Sequence, residues 1–143
     1  MITIQEINAL NFREAFKLKV SDGQKHFVAS AEVMLARAYV YRETSEAMAI
    51  YNEMEMIGYL LIRQYDKKYC LDQFMIDQCH QGKGYGKQAM KLVLEKLRND
   101  RSCEKVILCY IESDVAARYF YEGLGFIHTG EADEDEVVME LIL

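Results

Sequence analysis

The chain has 143 residues, 51% of them apolar and 28% charged, with a net charge of −6 and no proline. That length and balance fit one globular domain over residues 1–143 with a normal core, and they exclude linkers, low-complexity tracts and a general nucleic-acid binder. No run approaches the roughly 18 apolar residues of a membrane span. The negative balance favours cationic small molecules as partners.

Residues 1–7 alternate like a strand and lack the basic and apolar blocks of a signal peptide. Asn11 is placed to cap a short helix through Phe12, Ala15, Phe16 and Val20, which Ser21-Asp22-Gly23 breaks. A second helix is predicted from Phe27, Ala31, Met34, Leu35 and Ala38, with residues 39–45 as a polar loop. Residues 48–53, 56–63 and 69–76 read as three strands joined by polar turns. After a glycine-rich turn, Met90, Val93, Leu94 and Leu97 form a helix stripe. Residues 105–111 are a continuous apolar strand, as expected where both faces of a sheet are covered. Ser113 or Asp114 caps a helix through Tyr121 that Gly123 ends, and two strands, residues 126–129 and 137–143, close the chain. The order β-α-α-β-β-β-α-β-α-β-β implies a mixed, mostly antiparallel α/β sheet of six or seven strands with about four helices. One parallel pair flanks the glycine turn, and a ligand is expected where those two strands part.

The glycine turn runs Gln81-Gly82-Lys83-Gly84-Tyr85-Gly86-Lys87 between a buried strand and a helix. Its unhindered backbone N–H groups at a helix N-terminus suit a phosphate or pyrophosphate. A P-loop is excluded because Gly86 comes one residue too early and Gln88 stands where a hydroxyl is needed. A dinucleotide fingerprint is excluded because the glycines run G-x-G-x-G.

The spacing from Gln81 to Gly86 resembles the [R/Q]-x-x-G-x-[G/A] signature of the GCN5-related N-acetyltransferases (GNAT). A second stretch, Ala117-Arg-Tyr-Phe-Tyr-Glu-Gly-Leu-Gly-Phe126, resembles that family's A-x-x-x-Y-x-x-x-G-F segment. The strand Leu71-Asp-Gln-Phe-Met-Ile76 is similar to the L-[DE]-x-F-[FM]-[IV] strand of spermidine/spermine acetyltransferases. The resemblance covers the whole chain. It implies the GNAT fold, acetyl-CoA as co-substrate, no metal, and transfer of the acetyl group to a primary amine, a polyamine being the leading acceptor. An aminoglycoside, an amino acid or a protein amine is the alternative acceptor, and a weakly catalytic, CoA-binding regulatory module is the alternative class.

Acetylating an amine requires removing its proton, since a free alkyl ammonium has a pKa of about 10. Asp72 is the candidate base or substrate anchor. Strand alternation puts it on one face with Phe74 and Ile76, and Leu71, Gln73 and Met75 on the other. The family usually has Glu there, so the shorter Asp favours a relay through water. Tyr121 resembles the family's general acid for the coenzyme A thiolate. By position, the backbone of Phe74, Met75 and Ile76 is expected to meet the pantetheine arm. Gln81, Gly82, Lys83, Gly84, Tyr85, Gly86 and Lys87 are expected to hold the pyrophosphate. Asp114 stands where the family commonly has Asn, and an ionised Asp cannot donate, so Ser113 is the alternative contact.

Glu131, Asp133, Glu134, Asp135, Glu136 and Glu140, with Glu43, Glu46, Glu53 and Glu55, are the acidic positions available to attract a polycation. His26, His80 and His128 show no metal-ligand spacing. Cys70, Cys79, Cys103 and Cys109 form no Cys-x-x-Cys, which points to reduced thiols in the cytoplasm. Neither Cys70 nor Cys79 falls on the face assigned to Asp72, so direct transfer in a ternary complex is expected over an acetyl-cysteine. The open sheet edges of such a fold favour a homodimer.

Overall fold

Turn chemistry sets the first half of the sheet. Asp66 and Lys67 both take left-handed backbone angles (φ 50° and 60°), as in a two-residue hairpin whose twist matches its strands. They join β3, Glu55–Tyr65, to β4, Lys68–Ile76. The computed structural model describes all of residues 1–143. Its other elements are β1 Ile2–Glu6, α1 Phe12–Ala15, α2 Ala31–Val40, β2 Ser45–Asn52, α3 Tyr85–Asp100, β5 Lys105–Ile111, α4 Val115–Gly123, β6 Ile127–Asp133 and β7 Glu136–Ile142. Short 3₁₀ turns lie at Asp22–Gln24 and Gln78–His80.

The seven strands form one sheet in the order β1-β2-β3-β4-β5-β7-β6. Every neighbouring pair is antiparallel except β4 with β5. Apolar side chains pack both faces. Ala89, Met90, Val93, Leu94 and Leu97 of α3 join Ile57, Leu60, Tyr69, Val106 and Leu108 on one side. Ala15, Ala31 and Met34 join Tyr59, Leu61 and Met75 on the other. Each fully buried side chain of this kind stabilises the fold by about 1.5–3 kcal/mol.

The element order is as read from the sequence, but several boundaries move. The first helix stops at Ala15, well short of Val20. Asn11 does not cap it, because its side chain accepts from the Asn8 N–H and donates to the Glu6 carbonyl instead. The second helix starts after Phe27, at Ala31, where the Ser30 Oγ accepts from the Val33 N–H at 3.3 Å. It runs on to Val40, so the loop before β2 is only residues 41–44. α4 does end at Gly123 as expected, and Gly125, with φ 98°, supplies the left-handed turn two residues on. β5 is covered on one face only: Val106, Leu108 and Tyr110 are buried while Cys109 is exposed. Its open face belongs to the cleft described below.

The alternation expected along β4 also breaks. Leu61 pairs with Gln73 and Ile62 with Leu71, leaving Asp72 as the extra residue of a β-bulge. Leu71 therefore joins Phe74 and Ile76 on the α3 side, while Met75 packs on the α2 side. Asp72 does not continue the Phe74/Ile76 row as a regular strand would place it. At the far end of β4, Gly58 of β3 lets the two strands approach opposite Ile76, since a Cβ there would clash with the Met75 carbonyl oxygen.

Candidate active site

β4 and β5 share only the pairs Tyr69↔Val106 and Cys70↔Ile107. Beyond them the strands part, and the edge of residues 71–76 that faces β5 has no ladder partner. A cleft of about 800 Å³ occupies the gap, within the size range of cofactor sites. Its floor is β4 and β5. One wall is the glycine turn with the start of α3, and another is α4. The segment joining α1 to α2 closes the remaining side. The splay begins beside the bulge at Asp72, and a bulged strand bends.

The glycine turn meets the cleft at Gln81, Gly82, Gly84, Tyr85, Gly86 and Lys87, while Lys83 is exposed and outside the lining. Gly82 and Gly84 have φ of 76° and 82°, values that residues with a Cβ rarely adopt. The consequence is electrostatic. The backbone N–H groups of residues 82–87 make no hydrogen bond within the chain, so six consecutive donors stand free at the positive end of a 16-residue helix. Orphan donors in that arrangement fit a pyrophosphate. The Gln81 side chain donates to the Ile76 carbonyl at 2.8 Å and to the Gln24 Oε1 at 3.1 Å, tying the turn to the α1–α2 segment. Asp77, 8% exposed, accepts from the Lys19 N–H at 2.9 Å and the Cys79 N–H at 3.1 Å. It thereby fixes the strand-to-turn exit.

Tyr121 lies on the α4 wall among Phe120 and Phe126, at ring-centroid distances of 5.1 and 5.7 Å. Phe120 in turn stacks on Phe74 of β4 at 5.5 Å. Burial, then the charge of Asp114, pushes the Tyr121 phenol well above the usual tyrosine range, and no hydrogen bond engages it. The hydroxyl therefore keeps its proton at neutral pH and remains free to donate. Asp114 caps α4, its Oδ1 accepting from the Ala117 N–H at 3.1 Å. Asp114 lines the cleft and Ser113 does not.

Asp72 lines the opposite side of the cleft. Its Oδ2 lies 3.0 Å from Arg63 Nε, both side chains being largely buried (19% and 21% exposed). The same guanidinium sits over the Tyr41 ring, 4.2 Å from its centroid. Arg63 carries no signature in the sequence; only the antiparallel register of β3 with β4 brings it to Asp72. Gln73, 7% exposed, donates from Nε2 to the Ala29 carbonyl, as does the Tyr59 hydroxyl at 3.2 Å. These bonds hold the α1–α2 segment against the floor.

The thiols nearest Asp72 are poor nucleophiles. Burial and then the Asp72 charge push Cys70 up to about 11. Cys109, also in the cleft, is raised by burial and then by Glu136, Asp72, Glu131 and Asp133. Of those four carboxylates, Asp72 and Glu136 line the cleft, while Glu131 and Asp133 belong to β6 and act on Cys109 through their charge. Of the other acidic positions, four are engaged elsewhere: Glu140 with Lys105 at 3.0 Å, Glu46 with Lys96 at 3.1 Å, Glu55 with His80, and Glu53 with the amino terminus, while Glu43, Glu134 and Asp135 make no ion pair. The α1–α2 wall contributes Lys25 and Arg37, basic residues the sequence reading did not place there. No group of three metal-ligating side chains is present.

Comparison with known proteins agrees with this geometry. Residues 8–126 match the model of the acetyltransferase (GNAT) family. The spermine/spermidine N(1)-acetyltransferase of Bacillus subtilis is 30% identical over 98% of this chain and 99% of its own length. Among solved structures, the spermidine N-acetyltransferase of Vibrio cholerae, in complex with CoA and spermine, superposes with a TM-score of 0.77 at 16% identity, covering 99% of this chain and 95% of that one. The ribosomal-protein-S18-alanine N-acetyltransferase of Escherichia coli gives 0.77 at 19% identity, covering 99% and 94%. The chain belongs to the GNAT acetyltransferase family. It is an acetyl-CoA-dependent N-acetyltransferase with the mixed, seven-stranded sheet of that fold.

One consequence concerns the turn. Gly84→Val forces a β-branched residue into φ 82°, which costs about 1–2 kcal/mol and disturbs the free donors. The expected result is a rise of about tenfold or more in KM for acetyl-CoA with a smaller change in kcat, read from initial rates.

Proposed function

We propose that this enzyme acetylates a primary amine of a polyamine of the spermidine/spermine class, by direct transfer in a ternary complex. The observation carrying the reading is the placement of Asp72 and Glu136 in the cleft, with the charges of Glu131 and Asp133 acting on Cys109 there. The 30% identity to a spermine/spermidine N(1)-acetyltransferase supports it. In this mechanism the free amides of residues 82–87 hold the pyrophosphate and Lys87 adds charge. The free edge of Phe74 to Ile76 aligns the pantetheine arm as an added strand would. Asp72 takes the ammonium proton, through a water where the shorter side chain does not reach. Tyr121 gives its proton to the departing thiolate. Asp114 contributes the helix cap rather than a donated bond. The raised thiols of Cys70 and Cys109 support direct transfer over an acetyl-cysteine, because the thiolate is the nucleophile. We also take the enzyme to act in the cytoplasm, where its four free cysteines stay reduced. We take it to be a homodimer, a reading supported by the open edge of β6.

Lys25 and Arg37 on the α1–α2 wall favour a second acceptor class, an amine carrying a nearby carboxylate, such as an amino acid or peptide N-terminus. Release of thiol from acetyl-CoA across spermine, spermidine, an aminoglycoside, amino acids and a peptide separates the readings. The polyamines are expected to give the highest kcat/KM, falling as ionic strength rises. A higher value for an amino acid or peptide would transfer the assignment to the second class. Binding of acetyl-CoA without turnover on any amine would point to a regulatory module.

A further inference from the structure

Asp72 is the extra residue of a bulge, and bulged residues lack the ladder bonds that fix their neighbours. Its carboxylate makes no hydrogen bond to β4 or β5, and its only close protein partner is Arg63, through Oδ2 at 3.0 Å. Arg63 is itself constrained. Its guanidinium carbon lies 4.2 Å from the Tyr41 ring centroid, and Arg63 Nε is buried without a well-directed hydrogen bond of its own. The ring bounds the guanidinium on one side, and the carboxylate approaches Nε to 3.0 Å. Tyr41, Arg63 and Asp72 come from the turn after α2, from β3 and from β4, so three separate parts of the chain converge on one carboxylate.

We propose that Arg63, seated on Tyr41, is the positioning residue for Asp72: it holds Oδ2 and leaves Oδ1, which has no protein partner, directed to the acceptor amine. This rests on the reading of Asp72 as the group that receives the amine's proton. A guanidinium suits the task better than an ammonium because it is more weakly hydrated and can sit over an aromatic ring while its charge faces a carboxylate. Arg63 touches no reacting atom; its effect passes through Asp72.

A double-mutant cycle tests this, with kcat measured at saturating acetyl-CoA on the amine the enzyme prefers. Arg63→Gln should lower kcat by about tenfold or more in the native background and by less than about twofold in the Asp72→Asn background. KM for acetyl-CoA should stay within about twofold in both. Arg63→Lys, which keeps the charge, should recover part of the loss, and Tyr41→Leu should reproduce part of it. Both smaller effects should vanish when Asp72 is Asn. If Arg63→Gln does not fold, the Lys and Leu variants carry the same test. Equal fold-losses in the two backgrounds, or native kcat in Arg63→Gln, would overturn the proposal. Native turnover in Asp72→Asn alone would instead remove the role of Asp72, a failure the single variant reveals by itself.

Discussion

Tyr121→Phe should lower kcat by about a hundredfold while leaving KM for acetyl-CoA and the unfolding free energy nearly unchanged. The ring contacts that hold this residue, with Phe120 and Phe126, are made by carbon atoms, and phenylalanine keeps them. What the substitution removes is a hydroxyl with no internal partner, so little structural cost is expected. The direction of the phenol's shift gives the pH dependence. Burial and the Asp114 charge hold its pKa above the ordinary value of 10.0, so the proton is present throughout the neutral and mildly alkaline range. Any alkaline loss of activity caused by Tyr121 must therefore begin above pH 10. A rate equal to that of the native enzyme in Tyr121→Phe would assign the residue to packing.

Asp72→Asn should reduce kcat by a similar factor, about a hundredfold, with acetyl-CoA affinity preserved because the free amides proposed for the pyrophosphate lie on the other wall. Its second effect separates it from Tyr121. Removing the carboxylate leaves Arg63 Nε, already without a well-formed hydrogen bond, as a largely buried charge with no counter-ion. Leaving one member of such a pair unpartnered costs about 2–3 kcal/mol. Urea unfolding should show that loss for Asp72→Asn and none for Tyr121→Phe. Native turnover with a lowered unfolding midpoint would make Asp72 a structural partner of Arg63 and nothing more.

The two residues differ in how far a sequence reveals them. Tyr121 was readable because its spacing to Gly125 and Phe126 is local, and α4 preserves that spacing. The glycine turn was readable for the same reason: backbone freedom at Gly82 and Gly84 is a property of residue type. Asp72 was readable as a carboxylate in a buried strand, but its orientation was not. Alternation assumes an unbroken ladder, and the bulge depends on how β3 registers against β4. Lys25 and Arg37, which line the cleft, and Arg63 and Tyr41, which back Asp72, are invisible in the sequence because each gets there through tertiary pairing or a loop path. The acidic positions outnumber those at the cleft for a related reason, since Glu46 and Glu140 meet lysines that lie 50 and 35 residues away along the chain. Charge composition suggested the partner, and only the fold sorted which carboxylates face it.

The most direct test is the fate of the acetyl group itself. With isotopically labelled acetyl-CoA and spermidine, mass spectrometry of the quenched reaction should find the label on a spermidine nitrogen, one acetyl group for each thiol released. None should remain on the protein at any time point. Thiol release with no acetylated spermidine, or label accumulating on Cys70 or Cys109, would contradict direct transfer to a polyamine.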